Sequence, residues 1–380
     1  MRVALSTLMI QRGKTGVAQY VFNLAKGILQ FEPSIKLHLL VLEEDRPLFE
    51  FARERARMTI VPEHWRGPAK NILWHQGYLP FWLKENRIDV LHVPSYRRML
   101  AYSPCPQVTT IHDLAPFHVQ GKYDFKRMFY GRQVMPQLAR RQDRIIAVSQ
   151  NTALDIEKHL AIPSDRVTVI HNGIDRERYS PGDAREAKKI VQSTWGITEP
   201  FFLYVSRLEH PGKNHARLIR AFNGFKQRTG LNWQLVLGGS DWHGAGIIHD
   251  EAEKSPCARD IKFLGFVPDD RLPTLYRAAS CLIYPSLFEG FGFPPLEAMA
   301  CDCPVLCSLQ GSLREVTNGA AGELDPFDPH NMAGQMIRLA TDDFWGEELR
   351  KAGRANARRY SWEEVSKLTV EAYASTQVDR

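Results

Sequence analysis

Twelve short apolar runs recur along this sequence, most of them followed by a longer amphipathic stretch. In the first half they fall at 3–6, 37–42, 58–61, 90–93, 107–111, 145–148 and 167–170. Helical patterns lie between them at 17–29, 71–85, 125–140 and 152–160. In the second half the strand-like runs are 201–205, 234–237, 261–263, 281–284 and 305–308. The helical ones there are 214–226, 270–279, 332–340 and 344–358. Alternation of this kind predicts α/β architecture with doubly wound parallel sheets. A chain of 380 residues exceeds one ordinary core, so two such halves are expected. Segment 179–196 carries a Pro-Gly turn and no strand and reads as the linker, giving domains 1–180 and 181–361. Ligands in such sheets bind beyond the carboxyl ends of the strands. The motifs that follow strands are therefore expected to converge on one cleft between the halves.

Composition narrows the function classes. No run of eighteen apolar residues is present, and the first sixteen residues lack the apolar core and cleavage site of a signal peptide. A cytoplasmic protein is the expectation. Residues 1–180 hold 26 Lys and Arg against 17 Asp and Glu, so the positive charge sits in the first half. Its densest part, 122–144, is basic and aromatic. It reads as a solvated helix face or as a surface for anionic lipid or an anionic acceptor. Nucleic acid is disfavoured, because no binding motif accompanies the patch. Cys301, Cys303 and Cys307 have no zinc-like spacing and read as small buried residues.

The run from Glu289 to Glu297, EGFGFPPLE, holds the most specific chemistry. It joins a strand-like run to a helix start, with Pro294 and Pro295 in the first turn, where a missing N–H costs nothing. Backbone N–H groups at such a turn attract anions. Two carboxylates would oppose that attraction unless the ligand also carries hydroxyls for them to accept. A nucleotide sugar satisfies both demands. Arg207 ends the strand FFLYVSR and Lys213 follows six residues later, a fork and a point charge suited to a diphosphate. Glu297 is either a helix-dipole complement or an acceptor for a ribose diol. His112, at the end of QVTTIH, is a packing residue or a ligand for a sugar hydroxyl or phosphate. Asn172-Gly173 reads first as a turn, and Gly13 and Gly16 leave backbone open to a ligand.

Other chemistries lack their motifs. RGKTGVAQ has glycines three apart and no G-x-G-x-x-G, so dinucleotide binding is disfavoured. A Walker pattern and a G-x-S-x-G elbow are likewise missing. No D-x-D pair suits a metal–diphosphate bridge.

These residues together resemble the retaining glycosyltransferases of family 4, with the two-domain GT-B fold. The resemblance rests on Gly13 and Gly16 with Tyr20, His112-Asp113-Leu114, Val148-Ser149, Asn172-Gly173-Ile174-Asp175, Arg207 with Lys213, Gly265-Phe266-Val267 and the E-x7-E run. It implies that Arg207 and Lys213 hold the donor diphosphate and that Glu297 binds the ribose. Glu289 would contact the donor sugar, helped by the main-chain N–H groups of Phe291, Gly292 and Phe293. Phe266 and Val267 would read the base, His112 would touch the transferred sugar, and Gly16 would line the donor–acceptor junction. A final helix, about 362–380, would cross back onto the first domain. The implied chemistry is a metal-independent front-face transfer, with a nucleotide sugar as co-substrate and no cofactor. HDLAPF, the basic aromatic helix and IIAVS most resemble mannosyltransferases of bacterial surface polysaccharides. GDP-mannose is the leading donor, with UDP-glucose-type donors next, and the acceptor is a glycan or a lipid-linked glycan. A non-catalytic nucleotide-sugar binder is the other reading, and peripheral contact with an anionic membrane would follow from the basic patch. One departure stands out: the lysine is followed by Asn214 where the family pattern has glycine.

Overall fold

The computed structural model describes residues 1–13, 15–118 and 128–378. The chain divides into two compact units, 1–173 with 361–380 and 174–360. The first holds a seven-stranded sheet: β1 (Arg2–Ser6), β2 (Lys36–Leu42), β3 (Arg57–Val61), β4 (Val90–Val93), β5 (Gln107–Ile111), β6 (Arg144–Ala147) and β7 (Val167–Val169). The second holds six strands: β8 (Phe201–Val205), β9 (Gln234–Gly238), β10 (Ile261–Gly265), β11 (Cys281–Tyr284), β12 (Val305–Ser308) and β13 (Gly322–Leu324). Their orders are β3-β2-β1-β4-β5-β6-β7 and β10-β9-β8-β11-β12-β13. All the pairings among the described residues are parallel. Both sheets are thus doubly wound, with the chain reversing direction beside β1 in one and beside β8 in the other. Such reversals open a crevice at the carboxyl ends of the two central strands.

The sequence dictates this locally. Strands buried on both faces read as near-continuous apolar runs. β4, β5, β9, β11 and β12 are buried at every position, and of their polar side chains His92, Thr109, Thr110 and Ser308 are hydrogen-bonded. Helix Gly16–Phe31 starts where Thr15 accepts a hydrogen bond from the Ala18 N–H, and it buries Tyr20, Val21, Leu24, Ala25 and Ile28 on one face. Two expected helices, 71–85 and 125–140, enclose Pro80 and Pro136. In each the chain widens into a π turn just ahead of the proline, at Trp74–Tyr78 and Tyr130–Val134. A proline cannot donate to the preceding turn, and the wider turn accommodates the broken ladder. The six cysteines are free thiols, and Cys301, Cys303 and Cys307 are buried packing residues. Of the basic stretch 122–144, residues 122–127 lie outside the described residues.

The segment expected to be a linker is not one. Residues 184–195 form helix Ala184–Trp195, capped by Asp183 and closed by Gly196 in the left-handed conformation. It buries Ala187 and Val191 and packs on helix Leu272–Ala278, so it belongs to the second unit. A Pro-Gly turn beside a polar helix resembles a linker in sequence, because only a thin apolar face distinguishes the two. The short β13 also escaped notice, being three residues long and opened by a glycine.

The last helix, Trp362–Val378, lies against helix Gly16–Phe31 in the first unit. The approach is close enough that a Cβ on Gly27 would stand 2.1 Å from Ser366 Oγ. A buried polar chain fastens the same helix to the sheet. Tyr373 Oη hydrogen-bonds His92 Nδ1 at 2.7 Å, His92 Nε2 meets Thr110 Oγ1 at 2.8 Å, and that hydroxyl meets Tyr20 Oη at 2.9 Å. Burial holds His92 neutral by pushing its pKa down to about 3. Tyr373→Phe leaves a buried imidazole nitrogen without this partner. It should cost about 1–3 kcal/mol, read as a lower thermal midpoint. An unchanged midpoint would remove the chain from the account of how this helix docks.

Candidate functional site

The two loops that leave β8 and β11, the central strands of the second sheet, are clasped together. The Leu287 N–H donates to the Gly212 carbonyl across them at 3.0 Å, and Tyr204 Oη on β8 donates to the Lys213 carbonyl at 2.7 Å, holding the first loop to its own strand. Asn214 sits between them in the left-handed conformation, φ 64°. That conformation suits glycine or asparagine. The asparagine amide adds bonds that glycine cannot make, to the Pro285 carbonyl at 3.1 Å and the Pro326 carbonyl at 2.7 Å. The departure from the family pattern at this position thus keeps the backbone geometry and ties the two loops.

The clasp brings Lys213 Nζ to 2.6 Å from Glu289 Oε1, with both side chains largely buried. Tyr284 Oη donates to the same oxygen at 2.9 Å. Burial alone would raise the Glu289 pKa. The Lys213 charge, with hydrogen bonds from Lys213, Ser286 and Tyr284, outweighs it and holds the carboxyl below its ordinary value. Glu289 is therefore a fixed carboxylate. Gly292 caps the following helix, Phe293–Ala300, at φ 102°, and a Cβ there would lie 2.6 Å from Leu313 Cδ2. Ser312 Oγ donates to the carbonyls of Glu289 and Phe291 at 2.9 and 3.0 Å. In a trans peptide the N–H opposes the C=O, so the N–H groups of Gly290 and Gly292 face away from Ser312. Phe291 is buried and in edge contact with Phe293.

Glu297 lies in a different environment. Tyr276 Oη donates to its Oε2 at 2.8 Å, and Tyr179 also hydrogen-bonds it. Burial, with Asp269 nearby, pushes its pKa up to about 7 against the opposing pull of the two phenols and Arg178. Two carboxylates eight positions apart thus carry opposite perturbations: one is held ionised and the other is poised between forms at neutral pH.

Arg207 is not joined to the Lys213–Glu289 pair. Its guanidinium pairs with the buried Glu209 at 3.3 Å and lies 4.8 Å over the Trp242 ring, with its side chain 45% exposed. Phe266 is half exposed and Val267 buried, immediately after the left-handed Gly265. Sequence reading missed Glu209, Trp242, Tyr276, Tyr284 and Tyr179. An acid between two cations in RLEHPGK could have flagged Glu209. Trp242 lies in the loop after another strand and has no local signal.

In the first unit His112 directly follows β5, and Gly16 opens helix Gly16–Phe31 after β1. The His112 ring is held by the Pro94 carbonyl and by edge contact with Tyr20 at 4.8 Å. Its Nε2 is buried and has no hydrogen-bond partner among the described residues. Burial pushes its pKa down to about 4, so the ring is neutral and Nε2 is an acceptor. Asn172, also buried, has neither amide atom partnered among the described residues.

Comparison with known proteins matches both units. The model described as Glycosyltransferase Family 4 covers residues 14–178, and Glycosyl transferases group 1 covers 186–360. The O-antigen chain mannosyltransferase B of Escherichia coli is 31% identical over 291 residues, 77% of this chain and 75% of its own length. The serotype-specific mannosyltransferase WbdA of the same species is 30% identical over 71% of this chain, which spans about a third of that longer protein (33%). Anabaena HepE in complex with UDP and glucose superposes with a TM-score of 0.78 at 19% identity, covering 99% of this chain and 100% of that one.

The Glu297 environment makes a prediction that needs no ligand. Its folded pKa of about 7 stands above the ordinary 4.5, so its contribution to stability is full below 4.5 and is lost as pH rises through 7. Glu297→Gln keeps the shape and removes the titration. The thermal midpoint of the variant minus that of the wild type should therefore grow between about pH 5 and pH 8. A difference that is flat with pH would mean the carboxyl is ionised throughout.

Proposed function

This chain belongs to glycosyltransferase family 4, and on that premise we propose that it transfers mannose from GDP-mannose, with retention and without a divalent metal, to a glycan or lipid-linked acceptor. The observation that carries the reading is the buried Lys213–Glu289 pair at the exits of the two central strands. It sets a fixed cation beside a fixed carboxylate where a nucleotide sugar presents phosphate next to hydroxyls. The mannose assignment is supported by the identity to O-antigen mannosyltransferases.

In this reading the donor diphosphate lies on Lys213 and Arg207, and the ribose on Glu297. Phe266 and Val267 contact the base through their backbone. The family resemblance assigns the sugar hydroxyls to the Glu289 carboxylate and to the neutral His112 Nε2, and the donor–acceptor junction to Gly16. Phe291, Gly292 and Phe293 supply main-chain N–H groups. As the bond from C1 to the phosphate oxygen breaks, negative charge gathers on the leaving diphosphate, where the charges of Lys213 and Arg207 stabilise it. The acceptor oxygen bonds C1 on the same face, and its proton passes to a leaving phosphate oxygen. The cations take the part a divalent ion would otherwise play, so turnover in the presence of EDTA at the ordinary rate is expected.

A thermal-shift screen against GDP-mannose, UDP-glucose and ADP-glucose identifies the donor, since binding stabilises the folded state in proportion to occupancy. GDP-mannose should give the largest shift, and NMR of the product should show the α-anomer retained. A larger shift with a UDP-sugar would replace the donor assignment. Lys213→Met lowers kcat by roughly 10²–10³ in this reading, but alone it strands a buried carboxylate and lowers stability. Pairing it with Glu289→Gln removes both charges, so the double variant should recover most of the thermal midpoint and remain inactive. Turnover near the wild-type rate in that double variant would sink the proposal.

A further inference from the structure

We propose that His118, Asp155 and His159 of the first unit bind a divalent transition ion of the zinc class, at a site separate from the proposed transfer chemistry. The three side chains each offer one donor atom, and these atoms lie within 4.8 Å of one another. His118 ends helix Ala115–His118, which follows His112 by two residues. Asp155 and His159 lie one turn apart on helix Gln150–Leu160, so both project from one face toward His118.

The individual contacts describe a site drawn together around its carboxylate. His118 Nε2 is 2.7 Å from Asp155 Oδ2, and His159 Nε2 is 3.9 Å from Asp155 Oδ1. The second distance is too long for a hydrogen bond, and His159 Nε2 is buried with no hydrogen-bond partner among the described residues. A shielded ring nitrogen aimed at a carboxylate it does not reach is what a shared ion would bridge. Donor atoms on one zinc at about 2.0–2.2 Å lie roughly 3–3.5 Å apart, so the closer contact would open slightly and the longer one close. The ring of His159 is already oriented: Phe117 stacks on it at 4.7 Å and 23°. The His118 ring stands perpendicular to it, centroids 5.5 Å apart.

The donor set selects the ion. Two imidazoles and one carboxylate suit zinc, iron, cobalt or nickel, whereas magnesium and calcium favour oxygen alone. Arg132 and Lys158 lie near enough to oppose a cation, and the Asp155 carboxylate is the group that offsets them. His118 is exposed, which leaves the site a route from solvent. A bound ion would tie the turn after β5, directly behind His112, to the helix capped by Ser149.

The test uses the full chain, stripped with chelator and exchanged into metal-free buffer. Titration with Co²⁺, followed by the visible absorption of the ion, and with Zn²⁺, followed by calorimetry, should each saturate at one ion per chain. Zn²⁺ should raise the thermal midpoint and Mg²⁺ should not. His159→Gln and Asp155→Asn should each weaken binding by more than about tenfold. Circular dichroism without metal establishes that they fold. If the buried Asp155 variant does not fold, His118→Gln, at an exposed position, decides in its place. No saturable uptake by the wild type, or uptake unchanged in His159→Gln and His118→Gln, overturns the proposal. Donor turnover is not the readout, so a failure here leaves the proposed transfer reaction untouched, and failure of that reaction leaves this site standing.

Discussion

The buried ion pair of Lys213 and Glu289 is the constraint around which the second unit's site is built. A carboxylate taken out of water is tolerated only if a partner and further hydrogen bonds compensate its lost hydration. Here the compensation comes from Lys213, Tyr284 and Ser286. It requires the β8 and β11 loops to stay in register. That register is enforced by small, specific contacts: the left-handed Asn214 and its two amide bonds, the Gly212 carbonyl, and Ser312 beneath Glu289 and Phe291. Loosening any of these would leave the pair exposed to water or the carboxylate stranded.

The same logic separates the two glutamates that the sequence presents as a pair. Glu289 faces a cation and stays charged, while Glu297 faces two phenols in a buried pocket and holds its proton to about pH 7. Paired titratable groups whose environments drive them apart are a common sign of divided labour in a site. In the first unit His112 is likewise set by burial, as a neutral acceptor held from one side by Pro94 and from the other by Tyr20. Tyr20 in turn belongs to the polar chain that ends on Tyr373 of the last helix. The chain's final segment thus bears on a candidate site residue 261 positions earlier.

Much of the fold was legible because it depends on local pattern. Strands buried on both faces are mostly apolar, and helices between them show one apolar stripe. Glycine and proline mark the turns. The failures are equally physical. Helix Ala184–Trp195 was read as a linker because only Ala187 and Val191 distinguish it from a solvated segment. The π turns before Pro80 and Pro136 leave no trace in periodicity beyond the proline itself.

For the site, the sequence by itself determined which residue types follow the strands: Arg207, Lys213 and Glu289 in the loops after β8 and β11, Glu297 in the helix beyond, and His112 directly after β5. Chain order and strand pattern suffice for that, because each doubly wound sheet delivers its own strand exits to one edge, those of β8 and β11 in the second sheet and that of β5 in the first. Only the tertiary structure decided which of them meet. Lys213 finds Glu289 across 76 positions, while Arg207 turns to Glu209 and Trp242. Glu297 finds Tyr276 and Tyr179. Side-chain partnership and burial are set by packing among distant segments, and with them the protonation state of each carboxylate, which no spacing along the chain encodes.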